Sequence, residues 1–212
     1  MSAPQTVLSE VPEMGLRELK KQMTHDSIAD AAFQLTVENG LDNVTIEEIA
    51  RVAFISPRTF SNYFSCKEEA VVAAGVDASH NLAEDFLQRP TDEQPLQSLC
   101  KVTSDFVSSQ TREQLLRMTQ RMALVQQYPA LRPFETAQYD NLEEALRGAI
   151  AARTGTDLDT DMYPWLVAAT AVSAIRSALK LWARSGAAAK HLPQLIQTAF
   201  NQISDGLPAP RA

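Results

Sequence analysis

The 212-residue chain lacks the composition that several protein classes require. It has only 7 glycines and 2 cysteines, and its formal net charge of −7 shows no excess of basic side chains. Little glycine beside abundant alanine and leucine disfavours a turn-rich β fold and favours helices. The two cysteines, Cys66 and Cys100, form no Cys-x-x-Cys pair and no disulfide framework, which fits a reducing, cytoplasmic setting.

Long hydrophobic segments are also missing. The longest uncharged apolar run covers residues 162–175 and falls short of the roughly 20 residues that cross a bilayer. The first residues show no basic patch followed by an apolar stretch, so we predict no secretory signal. We therefore expect no membrane among the partners of this protein.

The sequence contains no motif that indicates catalysis. The three histidines, His25, His80 and His191, are scattered without the spacing of metal ligands. No glycine-rich phosphate loop and no Gly-x-Ser-x-Gly motif occurs. We predict that the protein is not an enzyme and needs neither metal nor cofactor.

Helical periodicity extends over most of the chain, without an alternating strand pattern or an internal repeat, and predicts an all-α fold. We expect a disordered arm over 1–15, a helix-turn-helix domain over 16–75 and a larger helical bundle over 76–212. About nine helices are predicted, with these bounds: 16–39, 45–52, 56–64, 65–87, 96–109, 112–127, 133–154, 160–185 and 191–206.

Two short helices in the first domain carry clear start signals. Thr45 and Glu48 have the spacing of a capping box, and Ser56-Pro57 combines a good N-cap residue with proline at the first helical position. Asn39-Gly40 supplies a stop for the helix that precedes them. About three residues join the two short helices, which is the plan of a helix-turn-helix.

The second short helix combines an apolar face with a hydrogen-bonding face. Phe60 and Phe64 are four residues apart and can point inward, which leaves polar side chains outside. Arg58 can bind guanine and Asn62 can bind adenine, whereas serine, threonine and tyrosine typically contact phosphates. A plain surface helix of a helical bundle is the alternative.

Charge sets this segment apart from its surroundings. No acidic residue occurs between Arg51 and Cys66, although residues 1–75 hold 6 basic and 11 acidic side chains. A protein that binds nucleic acid through bulk charge would be basic. Any contact with DNA must therefore come from this local cluster.

Residues 24–75 resemble the DNA-binding domain of TetR-family transcriptional regulators. Outside this segment the chain agrees with the family only in being helical and in its length. The amino-acid sequence around Arg58–Val72 is most similar to that of actinobacterial members of the family, some of which resemble regulators of the mycofactocin type. The matching stretches are Ile28–Phe33, Gly40, Val44–Ala50, Ser56–Phe60 and Tyr63–Glu68.

The resemblance implies roles for individual side chains. Thr45 and Lys67 would contact phosphates, and Arg58, Thr59 and Asn62 would approach bases. Ser61 and Tyr63 would contact the backbone or base edges, and Ser56 completes the predicted DNA-binding set. The chain departs from the family pattern at two positions, with Phe54 in the turn where glycine is usual and Ser61 where tyrosine is common.

For the larger domain the resemblance implies a cavity that binds a hydrophobic or amphipathic effector. Methionine and aromatic residues at helical spacing are the candidates for its lining, although plain core packing is the alternative. The predicted lining residues are Phe106, Met118, Met122, Tyr139 and Trp165.

The segment Trp165–Trp182 is apolar on most sides, so it must be covered on two sides. We predict that the last two helices form a two-fold homodimer, the arrangement that the resemblance also implies, with a buried monomer core as the alternative. The predicted interface residues are Val172, Ile175, Leu179, Leu195, Ala199 and Phe200.

These features predict a ligand-responsive transcriptional regulator, a repressor that a small molecule releases from a palindromic DNA operator. The competing hypothesis is a helical small-molecule-binding or enzymatic module that does not bind DNA. Selective binding of duplex DNA distinguishes the two.

Overall fold

The computed structural model describes residues 15–74, 78–185 and 191–209. Within these ranges the chain forms ten α-helices and two short 3-10 turns, without a β-strand. The all-α prediction is therefore confirmed. The chain divides into two compact units, Met1–Ala74 and Gly75–Ala212. Of the predicted arm over 1–15, all but Gly15 lies outside the described residues.

The first unit holds four helices. The long helix α1 packs against α2 and α4, and α2 also packs against α3. Their shared core buries Ile28, Ile49 and Phe60 completely. The helices are α1 (Leu16–Asn39), α2 (Ile46–Val52), α3 (Pro57–Phe60) and α4 (Lys67–Ala73).

Local sequence signals set the helix ends as predicted. Gly40 follows α1 with φ 79° and donates its N–H to the carbonyl of Thr36. Thr45 and Glu48 form the complete capping box, each side chain binding the other residue's backbone N–H. Such a cap stabilises a helix by about 1 kcal/mol, which helps a helix as short as α2 to form.

The predicted fourth helix over 65–87 is wrong in its length. It is two helices, α4 and α5 (Ala78–Leu87), and α4 belongs to the first unit. Ala74 has ψ 115°, outside the helical region, so α4 ends at Ala73. Residues 75–77 lie outside the described part of the chain.

The second unit contains α5 and five longer helices. Helix α9 packs against α8 and α10, and α6 packs against α10. Their core buries Trp182, Phe200 and Leu146. The predicted bounds are confirmed to within two residues for α6 (Pro95–Ser109), α7 (Arg112–Gln127), α8 (Arg132–Thr154), α9 (Met162–Arg184) and α10 (Leu192–Ser204).

Arg153 on α8 binds the backbone at the connection between α5 and α6. Its guanidinium donates to the carbonyl oxygens of Phe86, Pro90 and Glu93, and it lies 4.6 Å from the ring centre of Phe86. The Glu93 carboxylate accepts hydrogen bonds from Arg89, Lys101 and Ser98 at 2.6–3.1 Å. Charged groups thus hold this polar connection, which contains Pro90, against α8 and α6.

Helix α9 is, within the described ranges, the one helix that length and composition would allow to span a membrane, with a mean hydropathy of 1.3 over its most apolar window. Its buried residues pack against α6, α8 and α10. Core packing of this kind accounts for the apolar residues on the buried face of α9, whereas Met162, Leu166 and Leu181 are exposed.

Candidate DNA-binding surface

The turn between α2 and α3 has a defined backbone geometry. The N–H of Ile55 bonds the carbonyl of Ala50 at 2.9 Å, and the N–H of Phe54 bonds that of Arg51 at 3.3 Å. This pair of bonds is the Schellman arrangement, which places its penultimate residue in the left-handed region. Phe54 occupies that position with φ 55°. The turn therefore fixes where α3 begins relative to α2.

Helix α3 starts as predicted but is shorter. The Ser56 side chain accepts the N–H of Thr59 at 3.0 Å, and Pro57 occupies the first turn. The α-helix ends at Phe60, after which Tyr63 donates its N–H to the carbonyl of Phe60, three residues back. The predicted helix over 56–64 is therefore one α-helical turn followed by tighter turns.

The inward direction of Phe60 and Phe64 is confirmed. Both side chains are buried, Phe60 completely, and their ring centres are 5.9 Å apart. The ring of His25 on α1 lies 4.6 Å from that of Phe64. This packing anchors α3 to α1 and determines which of its side chains face outward.

Arg58 and Asn62 form the most available pair of hydrogen-bonding side chains on this surface. Both are exposed, and neither side chain makes a hydrogen bond within the described part of the chain. They are four residues apart on a helical path, so they lie on one side of it. Their donors and acceptors are free for the base edges that arginine and asparagine recognise.

The three hydroxyl residues of α3 make local bonds. Ser56 Oγ lies 2.8 Å from Thr59 Oγ1, and Ser61 Oγ donates to the carbonyl of Pro57 at 3.3 Å. Ser56 and Ser61 are exposed, whereas Thr59 is half-buried. Their predicted contacts with bases and phosphates remain predictions.

Thr45 uses its hydroxyl group within the capping box. Its Oγ1 lies 3.0 Å from Glu48 Oε2, to which the Thr45 backbone N–H also donates. These two hydrogen bonds lower the pKa of Glu48, and nearby Arg51 lowers it further. The predicted phosphate contact of Thr45 would therefore require its hydroxyl to turn away from a carboxylate.

Tyr63 and Lys67, two further members of the predicted DNA-binding set, have different surroundings. Tyr63 is half-buried, and its predicted contact with DNA remains a prediction. The predicted phosphate contact of Lys67 remains a prediction; its ammonium group donates to the carbonyls of Leu41 and Val44, each at 2.8 Å, which occupies two of its three N–H donors. Those bonds hold its side chain against the first unit.

The predicted dimer interface remains a prediction. Val172, Ile175 and Phe200 are buried in the core of their own chain and offer little surface to a second copy. Leu179, Leu195 and Ala199 are half-buried and pack against the same core. Helix α9 is apolar on nearly every side, so its periodicity could not distinguish the inner face from the outer one.

The predicted pocket residues do not share one environment. Met122 is buried, and Phe106, Met118 and Tyr139 are half-buried against the core. Trp165 is 45% exposed, and its predicted place in the pocket lining remains a prediction. Its ring lies 3.8 Å from the Arg147 guanidinium carbon, and its indole N–H donates to the carbonyl of Leu158.

Charged groups surround Tyr139 in the second unit. The Arg176 guanidinium lies 4.5 Å from its ring centre, and burial followed by the charge of Glu135 raises the pKa of Tyr139. Burial lowers the pKa of Arg121, which faces Tyr139 and Glu135. In the described residues, no group of three or more His, Cys, Asp or Glu side chains could hold a metal ion.

The comparisons with known proteins agree with this geometry. Residues 28–74 match the family model described as bacterial regulatory proteins of the tetR family. Residues 93–208, more than half of the chain, match the model described as the MftR C-terminal domain. The chain belongs to the TetR family of transcriptional regulators.

Two curated relatives extend over most of the chain. TcmR of Streptomyces glaucescens, an HTH-type transcriptional regulator, is 30% identical over 79% of this chain and 76% of its own length. MftR of Mycobacterium tuberculosis, whose name assigns it to the regulation of mycofactocin biosynthesis, is 26% identical over 89% of this chain and 93% of its own. The predicted resemblance to the family is confirmed.

Solved structures share the fold at low sequence identity. SmeT, the repressor of the multidrug efflux pump SmeDEF of Stenotrophomonas maltophilia, superposes with a TM-score of 0.56 and 16% identity, covering 89% of this chain and 97% of SmeT. FadR of Thermus thermophilus, a repressor solved with lauroyl-CoA, gives 0.52 and 21%, covering 89% and 97%. These similarities support the fold alone.

Proposed function

We propose that this protein is a cytoplasmic, ligand-responsive repressor. Its first unit binds a palindromic DNA operator, and its second unit dimerises and binds the small molecule that releases the DNA. The observation that carries the DNA-binding role is the exposed pair Arg58 and Asn62, whose side chains make no hydrogen bond within the described residues. The neighbouring hydroxyls of Ser56, Thr59 and Ser61, in contrast, already make local hydrogen bonds.

Two copies are needed for this function. In a two-fold dimer, the α3 segments enter successive major grooves about 34–36 Å apart, which is why the operator is expected to be palindromic. The exposed face of α9 is the better candidate for the contact between copies. Its residues, at helical spacing, are Met162, Leu166, Ser173, Ser177, Lys180, Leu181 and Arg184.

The proposed effector is a small molecule with an apolar body and a polar head. Tyr139 supports this chemistry, because it is half-buried against the apolar core and yet faces the guanidinium of Arg176. A fold neighbour was solved with lauroyl-CoA, a molecule of the same general kind. Binding would favour a dimer state in which the two α3 segments have a different separation, limited by the effector's differential affinity for the two states.

Selection from random duplexes tests the DNA-binding role. We expect the wild-type protein to enrich a palindrome, and Arg58→Ala and Asn62→Ala each to lose about 1–3 kcal/mol of affinity for it. Arg112→Ala, which removes an exposed arginine from the second unit, serves as the control and should bind normally. A failure of the wild-type protein to enrich any sequence would favour a module that does not bind DNA.

A further inference from the structure

Phe54 combines two unfavourable features in one residue. Its φ of 55° lies in the left-handed region, where, among described residues other than glycine, only Leu207 joins it. Its side chain is 95% exposed, so the phenyl ring packs against almost nothing in its own unit. A residue with a Cβ in this backbone conformation is strained.

The fold requires the backbone conformation but not the ring. The two Schellman hydrogen bonds, from Ile55 to Ala50 and from Phe54 to Arg51, use main-chain atoms alone. Glycine would satisfy them without strain. The stability of the first unit therefore offers no reason for a large aromatic side chain here.

The position of the ring suggests what it does contact. Phe54 precedes the N-cap Ser56 by two residues and Arg58 by four, and all three side chains are exposed. In helix-turn-helix proteins the first residues of the second helix approach the bases most closely. An apolar side chain at this place can meet the methyl group of thymine, the one apolar group on a base edge in the major groove.

We infer that Phe54 is a specificity residue that packs its ring against a thymine methyl group at the edge of the operator half-site. The inference rests on the proposed DNA-binding function and adds a contact beyond those of Arg58 and Asn62. Strain in the turn is tolerated because the ring it presents contributes to DNA recognition.

A glycine variant separates the contact from the fold. Phe54→Gly relieves the left-handed strain, so it should melt no lower than the wild-type protein, while its affinity for the selected operator falls about tenfold. Leu207→Gly is the matched control, because it relieves the same kind of strain at φ 54° in the second unit. It should leave operator affinity unchanged.

Replacing individual thymines of the operator by uracil removes only the methyl group. These replacements identify the thymine that Phe54 contacts. We expect one replacement per half-site to weaken the wild-type protein about as much as Phe54→Gly does, and to weaken Phe54→Gly no further. Unchanged affinity of Phe54→Gly, or equal sensitivity of both proteins to every replacement, would overturn the inference. Loss of binding by Arg58→Ala in the same assay shows that the proposed function holds in either case.

Discussion

The side-chain nitrogen of Lys67 lies 2.8 Å from the carbonyl oxygen of Leu41, 26 positions earlier in the sequence. A second bond of the same length reaches Val44. The first turn of α4 is thereby tied to the segment that leads into α2. Lys67, at the edge of the candidate DNA-binding surface, thus connects two segments of the first unit through hydrogen bonds.

Replacement of Lys67 tests this role. Lys67→Met keeps the aliphatic stem but leaves two carbonyls without their charged donor, so we expect a loss of about 2–3 kcal/mol in the free energy of unfolding. Urea denaturation measures the loss. A phosphate contact would instead appear in the salt dependence of DNA binding, whose log–log slope falls by about one for each contact removed. An unchanged slope with lower stability supports the structural role, and the opposite result contradicts it.

Local signals in the sequence predicted the first unit well, and distant contacts limited the prediction. The capping box at Thr45 and the start at Ser56 depend on residues within one helical turn, so the sequence shows them directly. The direction of the Lys67 side chain depends on carbonyls more than 20 positions away. The break between α4 and α5 was missed although Gly75, a signal for it, stands there in the sequence.

The second unit shows why periodicity alone could not distinguish the buried face of α9 from its exposed face. Helix α9 carries apolar or small residues on nearly all sides, so hydrophobic spacing is compatible with either face being inside. Burial of Val172 and Ile175 is decided by the neighbouring helices. Only the positions of those neighbouring helices distinguish the buried face of α9 from its exposed face.

The hydrogen bonds to Glu93 predict an acid-sensitive connection between α5 and α6. Bonds from Arg89, then Lys101 and Ser98, lower the pKa of Glu93 from 4.5 to about 2. Because the folded pKa is the lower one, the stabilisation is complete above about pH 4.5 and is lost as the pH falls toward 2.

Melting curves across this pH range check the prediction for Glu93. Glu93→Gln should melt several degrees below the wild-type protein at pH 6, and the difference should shrink as the pH falls toward 2. Glu144→Gln, which changes an exposed carboxylate of α8, is the control and should follow the wild-type curve. A difference between Glu93→Gln and wild type that is constant with pH would contradict the role of the Glu93 charge.

Arg153 should also stabilise the connection between α5 and α6, because it donates hydrogen bonds to backbone carbonyls there. Arg153→Ala leaves the carbonyls of Phe86, Pro90 and Glu93 without this donor, so we expect a loss of about 2–3 kcal/mol of unfolding free energy. Arg153→Lys keeps the charge but loses the planar fork that reaches several carbonyls, and it should recover only part of the loss. Full recovery by lysine would show that charge alone is sufficient.

The exposed face of α9 gives the sharpest test of the proposed assembly. Leu166 and Leu181 are 58% and 55% exposed, and a second copy that covers them would bury apolar surface on both chains. Leu166→Glu places a charge in that contact, so sedimentation should show monomers at concentrations where the wild-type protein is a dimer. Because a monomer binds one half-site only, operator affinity should fall with it.

Leu116→Glu provides the matched control for that variant, because Leu116 is 57% exposed and lies on a different helix, α7. It adds the same charge, so it should remain dimeric and bind the operator normally. Val172→Ala should lower the melting temperature without dissociating the folded dimer, since Val172 is buried in its own chain. A dimer that persists in Leu166→Glu and dissociates in Val172→Ala would restore the interface predicted from the sequence.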